Sequence, residues 1–436
     1  MKNKSKQKAA KIKTSFTGGK LTNYSGILPI YNFMSSIGLV EMLSKVDIHT
    51  HHNIKYDTAT LYSIIMLGIM SGANRIKKIE EFSRDPLIHE IFGIADKIDE
   101  DTISNRIRRF EQKQNCELMD VIGNTSKKVH KQLGTNKDIL DLDSTVKTVY
   151  GNQEGTGKGY NPEKKGAMSY HPLMGFLNST RECILSWLRP GNTYTSNNTA
   201  GFIKQVFAML EENIDNLLVR TDSGFFDNAI ISQIESRLNT DYIIKVNLKN
   251  LAGLLSSQTW ESIPEMTYWE MTEFYHKCSG WDKERKFVAM RRIRKIDYEG
   301  MFFPRIEYEY FCYVTNIYES PLFIHNEYGD RGTCENWIEA VKNQMFAGSL
   351  LTQDFWANEA LWLASVMSYN VSVWMRALTD EKSWHEEPMT FRSWFIQLAG
   401  KVVKSGRRIY LKMYEAYYYK SRWRRIEYEI DKLVFN

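Results

Sequence analysis

Apolar residues recur at three- and four-residue steps through Ile30 to Leu43, Thr58 to Met70 and Ile76 to Phe92. That spacing lines one face of a helix, and no strand-like alternation interrupts it before about Gln132. Within this helical block, Asp99 to Phe110 opens on capping residues and acids, then places Arg106, Arg108 and Arg109 on what reads as one helix. Such a helix suits either contact with DNA or plain solvation. At Asp138 the texture changes. Residues Asp138 to Tyr150 alternate with period two and are rich in β-branched side chains, which predicts a strand. A Gly-, Asn- and Lys-rich loop runs to about Gly166, and short apolar runs follow at Leu173 to Leu177 and Ile184 to Leu188. Helices are predicted over Ala200 to Glu212 and Asn228 to Arg237, and strands over Asn216 to Thr221 and Asp241 to Val246. From about 247 to 316 the chain alternates and is dense in aromatics, as a β-rich insertion would be; after Tyr328 the pattern reads as helical almost to the end.

Three strands, helix, strand, helix, strand is the order of a ribonuclease-H-like core, an α/β fold built on a mixed sheet. The predicted organisation is a basic N-terminal arm (1–25), a helical domain (26–135), a ribonuclease-H-like domain (136–395) with its insertion at about 247–316, and a basic, aromatic helical tail (396–436). A length of 436 residues supports two to three domains, and 43% hydrophobic with 25% charged residues excludes a disordered chain. The longest apolar runs break well before the roughly 20 residues a membrane span needs. No apolar stretch or small-residue cleavage site follows the N-terminal lysines, so the expected compartment is the cytoplasm. Five scattered Cys without a C-x-x-C pair predict free, buried thiols.

With 57 basic and 52 acidic residues the net charge is only +5, but its placement is uneven. Seven Lys lie between Lys2 and Lys20, and nine basic residues between Lys401 and Arg425 face a single acid, Glu415. Tyr410, Tyr414, Tyr417, Tyr418, Tyr419 and Trp423 are interleaved with the C-terminal bases. The mixture suits phosphate contact with stacking, and equally an amphipathic helix docked by its aromatics. His49, His51 and His52 with Asp47 lack the spacing of a metal site and read as an exposed polar loop.

A strand lifts alternate side chains to one face, so Asp141 and Asp143 point together. Asp222 closes another predicted strand, at the sheet edge where sites form in open α/β folds. Glu335 lies on a predicted helix with Glu339 and Lys342 on the same face. Acids in such an arrangement can hold two divalent cations, and hard oxygen ligands favour magnesium or manganese. Taken singly, each reads as a capping or surface carboxylate, and only their arrangement points to metal.

Tyr328, Arg331, Glu335 and Lys342 fit Y-x-x-R-x-x-x-E-x-x-x-x-x-x-K without a gap. The segment resembles the motif of one large branch of the DDE transposases encoded by bacterial insertion sequences. D-S-T-V from Asp143 resembles that family's first catalytic strand, and V-R-T-D-S-G-F from Val219 its second-Asp motif. The resemblance covers roughly Asp138 to Leu378 and implies a catalytic and metal-binding triad of Asp143, Asp222 and Glu335, with Asp141 the alternative first member. It implies two Mg2+ ions, for which Mn2+ substitutes, and Tyr328, Arg331 and Lys342 as ligands of DNA phosphates. Double-stranded DNA, as transposon ends and target, is the implied partner, and a homodimer in the DNA complex the implied assembly. Trp260, Trp269 and Trp281 are candidates for an aromatic that stacks on a flipped base, or else core residues. The activity implied is cut-and-paste transposition. A non-catalytic DNA-binding descendant and a stand-alone ribonuclease-H-like nuclease are the competing readings.

Overall fold

The structure is a computed structural model and describes residues 13–46, 48, 55–162, 164–264, 266–297 and 305–435. The histidine cluster around His49 to His52 and most of the N-terminal lysines lie outside the described residues. A short strand β1 (Leu21–Thr22) leads into helices α1 (Ile27–Ser36), α2 (Leu39–Ser44), α3 (Thr58–Ser71), α4 (Ile76–Ser83), α5 (Pro86–Phe92), α6 (Glu100–Ile107) and α7 (Gln112–Leu133). The breaks between them follow from local chemistry. Gly38 and Gly72 take positive φ at helix ends, and Asp85 caps α5 with Pro86 at its first turn.

Strands β2 (Lys137–Ser144), β3 (Lys147–Thr148), β4 (Gly157–Lys158), β5 (Met168–Tyr170), β6 (Leu173–Leu177) and β7 (Cys183–Trp187) come next. They precede α8 (Thr199–Leu210), β8 (Asn216–Thr221), α9 (Asn228–Glu235) and β9 (Thr240–Lys245). The region after β9 supplies α10 (Leu251–Ser256), β10 (Glu261–Ser262), β11 (Trp269–His276), β12 (Arg285–Asp297) and β13 (Arg305–Thr315). The chain then forms α11 (Pro321–Gly329), α12 (Thr333–Glu339), α13 (Phe355–Thr379), α14 (Pro388–Phe391), β14 (Gly400–Ser405), β15 (Arg408–Met413) and α15 (Lys420–Lys432).

Among the described residues the main sheet has nine strands in the order β10-β11-β12-β13-β9-β8-β2-β6-β7. Strands β2, β6 and β7 pair antiparallel, whereas β8 and β9 run parallel to β2. This is the ribonuclease-H-like order. The insertion does not form a separate sheet: β13 pairs antiparallel with β9, so its strands extend the core sheet at that edge. Helices α7 and α13 pack on β7, and α13, buried over almost its whole length, also packs on α3. One continuous apolar cluster therefore runs from Ile27 to Ile430 and joins the N-terminal helices to the sheet.

Three sequence expectations need correction. The tail is not uniformly helical, because β14 and β15 form a hairpin joined by β1 into a three-stranded sheet. Val402 is buried and Leu411, its partner across the hairpin, half-buried, between exposed Lys401, Tyr410 and Lys412, a period-two signal masked by the many bases. Nor do the three arginines share a helix. Helix α6 ends at Ile107, Arg108 is its C-cap and Arg109 lies beyond it. Cys183, Cys278, Cys312 and Cys334 are buried as expected, but Cys116 is exposed. Among the described residues no helix is long and apolar enough to cross a membrane.

Candidate active site

Parallel neighbours β2 and β8 end side by side, which brings Asp143 and Asp222 to one edge of the sheet. Their carboxylates line a shared cavity of about 510 Å³ together with Lys342. Each acid is also fixed by a turn. Asp143 accepts from the backbone N–H of Ser144 at 2.7 Å, and Asp222 from that of Gly224 at 2.9 Å, as the cap of a single 3-10 turn. Glu335 is exposed in the first turn of α12, within electrostatic range of Asp143. Burial, with Asp222 and Glu335 adding repulsion against the attraction of Arg331, pushes the Asp143 carboxyl up to about 6.

Asp141 and Asp143, two residues apart on β2, have different fates. Asp141 is fully buried and lies opposite Arg220 in the β2–β8 register. Arg220 donates to it twice, Nε to Oδ1 and Nη2 to Oδ2, both at 2.8 Å. This bidentate pair occupies both carboxylate oxygens and leaves Asp141 no face toward the cavity. Asp143 keeps 14% exposure and one ion pair, Arg331 Nη2 to Oδ2 at 3.1 Å.

Arg331 lies in a 3-10 turn after α11, almost wholly buried, and also donates to the Leu142 carbonyl at 3.2 Å. Its Nε has no partner. Tyr328 packs against Tyr313 with ring centroids 4.7 Å apart, and burial, beside Asp222 and Asp143, raises its hydroxyl to about 12. Lys342 sits in a π-helical turn that continues α12. Of the motif residues, Arg331 thus contacts Asp143 and Lys342 lines the cavity, while Tyr328 and Glu335 act on Asp143 only electrostatically. The three arginines around α6 are engaged elsewhere: Arg106 donates to the Tyr56 carbonyl at 3.0 Å, Arg108 pairs with Asp354 at 3.3 Å, and Arg109 is exposed.

The tryptophans of the insertion are packed. Trp260 lies under the Arg291 guanidinium at 4.3 Å, Trp269 stacks on Phe311 at 5.6 Å, and Trp281 leans on Phe226 at 5.1 Å. Sequence reasoning missed the other wall of the cavity. Lys158 and Tyr160 come from the β4–β5 segment, and Asn192 and Tyr194 from the loop after β7. A glycine-rich, apparently featureless loop gives no periodic signal, and strands of two or three residues are too short to read.

A mixed ribonuclease-H-like sheet with acids at the ends of adjacent parallel strands is the frame of a transposase core. The family model "Transposase DDE domain group 1" matches residues 4–434, and the chain belongs to that family of DDE transposases. Among solved structures it is similar to a piggyBac transposase synaptic complex with hairpin DNA, at 12% identity and a TM-score of 0.46, covering 85% of this chain and 79% of that one. It is also similar to a Mos1 transposase paired-end complex with left transposon end, at 12% identity and a TM-score of 0.19, covering 45% and 60% of the two chains. No curated protein matches.

The family implies divalent metal ions, and the donor chemistry fits them. Asp143 and Asp222 offer hard oxygens at one cavity, and a cation would offset the burial, and with it the weaker repulsion, that lift Asp143. In this conformation Arg331 supplies the positive charge at Asp143 instead. Among the described residues no three His, Cys, Asp or Glu side chains are close enough together to hold an ion.

Proposed function

We propose that the protein is a cut-and-paste transposase of the insertion-sequence branch marked by Tyr328, Arg331, Glu335 and Lys342. It binds the terminal inverted repeats of its element, cleaves DNA strands there and transfers them to target DNA. The observation that carries this reading is the convergence of Asp143 and Asp222 on one cavity, with Glu335 in electrostatic range and Lys342 in the cavity wall. Asp143, Asp222 and Glu335 would hold two Mg2+, which supply charge for activating the attacking oxygen and stabilising the leaving one. The chain's own part is to position and to exclude. The strand ends fix Asp143 and Asp222 through their turn hydrogen bonds, while Lys342 and a released Arg331 bind phosphate oxygens beside them. Tyr328 keeps its proton across the physiological range and acts as a hydrogen-bond donor. The N-terminal helices, with Arg106, Arg108 and Arg109, and the basic C-terminal hairpin hold the duplex, and a homodimer pairs two ends.

The Arg331–Asp143 ion pair favours one second reading, a DNA-binding descendant that no longer cuts. Cleavage of a labelled duplex carrying the element's terminal repeat, in Mg2+, decides between them. Wild-type cutting at the repeat boundary, lost in Asp143→Ala, Asp222→Ala and Glu335→Ala while DNA binding survives, is the expected result. Binding without cutting by the wild type refutes catalysis.

A further inference from the structure

The cavity that holds Asp143 and Asp222 is also lined by His171, at the junction of β5 and β6. All but one of its polar atoms are engaged. The backbone N–H donates to the Arg189 carbonyl at 2.8 Å, the carbonyl accepts from Arg189 Nε at 3.1 Å, and ring Nδ1 meets the Thr193 carbonyl at 2.7 Å. A carbonyl only accepts, so Nδ1 carries the hydrogen and the neutral ring keeps its lone pair on Nε2. Nε2 has no partner among the described residues, yet it is not sealed in, although the residue is only 8% exposed. His130 differs: it spends Nε2 on Glu182 at 2.6 Å, and its Nδ1 is buried without a partner. Three anchors thus hold the His171 ring with a single nitrogen left over, and the opening beside it is the cavity.

The frame that holds this ring is registered on the acids. Arg189, buried, also donates through Nη1 to the carbonyls of Thr195 and Asn197, both at 3.2 Å. A Cβ on Gly191 would lie 2.3 Å from the Ser169 carbonyl oxygen and 2.4 Å from that of Gly157, an approach that only glycine allows. Thr195 then bridges the two strand ends. Its hydroxyl lies 3.2 Å from that of Ser144, whose N–H is bonded to Asp143. Its Cβ lies 3.3 Å from where a Cβ on Gly224 would stand, and the Gly224 N–H is bonded to Asp222. The residue after His171 is tied in as well, because the Pro172 carbonyl accepts from the N–H of Thr145, close after Asp143, at 3.0 Å.

Burial, with the Arg189 guanidinium, holds the His171 pKa below the ordinary histidine value, against the Thr193 bond and the negative charge of Asp222. At neutral pH Nε2 is therefore a base. The other titratable groups of the cavity wall are Asp143, Lys158, Lys342 and the phenols of Tyr160 and Tyr194. Ammonium and phenol groups offer protons rather than take them, and on the transposase reading the two carboxylates are occupied by cations. Nε2 is then the one basic lone pair left in the wall among the described residues. On that reading, we propose that His171 is a further catalytic residue, its Nε2 taking the proton of the water that attacks the scissile phosphate. The water oxygen bonds to phosphorus, its proton passes to Nε2, and the bond from phosphorus to the leaving oxygen breaks. The leaving oxygen keeps that electron pair and takes a proton from solvent, which gives a hydroxyl end and a phosphate end. The imidazolium then returns its proton to solvent.

The test uses the full chain and two independent readouts. In metal-free wild type with isotopically labelled histidine, nitrogen NMR should show Nδ1 protonated and Nε2 bare at pH 7, with a titration midpoint below the ordinary value of about 6.5. His171→Asn keeps a donor for the Thr193 carbonyl and removes Nε2. In saturating Mg2+ it should cut a labelled duplex carrying the terminal repeat about a hundredfold more slowly than the wild type in a single turnover. Its DNA binding in EDTA and its thermal unfolding should be unchanged. The wild-type rate should fall on the acid side as Nε2 takes up a proton, and the variant should lose that dependence. Added imidazole should restore cutting to His171→Ala and not to Asp222→Ala. A ring that only props the loop would give neither the lost acid limb nor the rescue. An Nε2–H tautomer in the wild type, or His171→Asn cutting within about threefold of it, overturns the proposal and leaves the transposase reading standing. A wild type that binds the repeat and never cuts overturns both.

Discussion

The contrast between Asp141 and Asp143 can be tested by removing one arginine. Arg220→Met deletes the guanidinium that neutralises Asp141, a carboxylate with no exposure and two 2.8 Å charge-assisted hydrogen bonds from that one partner. Breaking a buried pair from one side costs about 3–5 kcal/mol, because the orphaned charge must stay desolvated or take up a proton. Arg331 also acts electrostatically on Asp141, which places the loss near the lower end, about 3 kcal/mol. Urea unfolding followed by circular dichroism reads this as a lower midpoint at unchanged slope. The double variant Asp141→Leu/Arg220→Met should recover most of the loss, since neither charge is then left alone. Asp143→Asn should instead abolish cleavage without lowering stability at pH 7. A loss below about 1 kcal/mol in Arg220→Met would refute the reasoning about Asp141. So would an Asp141→Asn variant that keeps its stability but stops cutting while Asp143→Asn remains active.

Asp143 titrates at about 6 in the folded chain and near 4 when unfolded, so the folded state holds the extra proton between those values. Metal-free stability should therefore fall as pH rises from about 4 to about 6, and Asp143→Asn should remove that slope in urea midpoints taken across the range. Lys147 is buried against the Leu350 carbonyl at 3.1 Å, and burial lowers it to about 7, whereas the unfolded chain keeps its proton to about 10.4. Stability should rise between those pH values as the folded amine goes neutral, and Lys147→Met should flatten the rise in thermal scans. Gly191→Ala would drive a methyl into two carbonyl oxygens at 2.3 and 2.4 Å, and should cost about 1–3 kcal/mol by urea unfolding. A neutral Gly191→Ala would show that the two tyrosine-bearing segments are not locked together.

The core strands were legible because they are β-branched and bounded by turns: β8 and β9 lie within a residue of where alternation puts them, and β2 begins one residue early but stops at Ser144, short of the expected end at Tyr150. So were the helices that bury one face. The hairpin β14–β15 was not, since lysine and arginine at its exposed positions dilute the apolar alternation until the stretch resembles a basic helix. At the site, the sequence placed acids at strand ends but could not say which acid of β2 is sealed. That depends on Arg220 standing opposite Asp141 across a ladder between segments distant in sequence. Arg189 was invisible for the same reason, because its partners are backbone carbonyls, which carry no residue signature.

The two arginine–aspartate pairs also differ in what it takes to open them. Arg220 and Asp141 are ladder neighbours on paired strands, so separating them means unzipping β2 from β8. Arg331 reaches Asp143 from a 3-10 turn, through a single 3.1 Å contact, with its Nε unpartnered. Leaving Asp143 costs it one ion pair and the bond to Leu142 O, and a phosphate oxygen could replace both. Asp143, repelled by Asp222 and Glu335, gains when a cation of higher charge takes the place of the guanidinium. A guanidinium on Asp143 thus offsets the repulsion of Asp222 and Glu335, and on the proposed reading a metal ion at Asp143 and a DNA phosphate at Arg331 would give each a better partner. Mg2+ should accordingly raise the melting temperature of the wild type and not of Asp143→Asn, and should do so more strongly when DNA is present to receive Arg331.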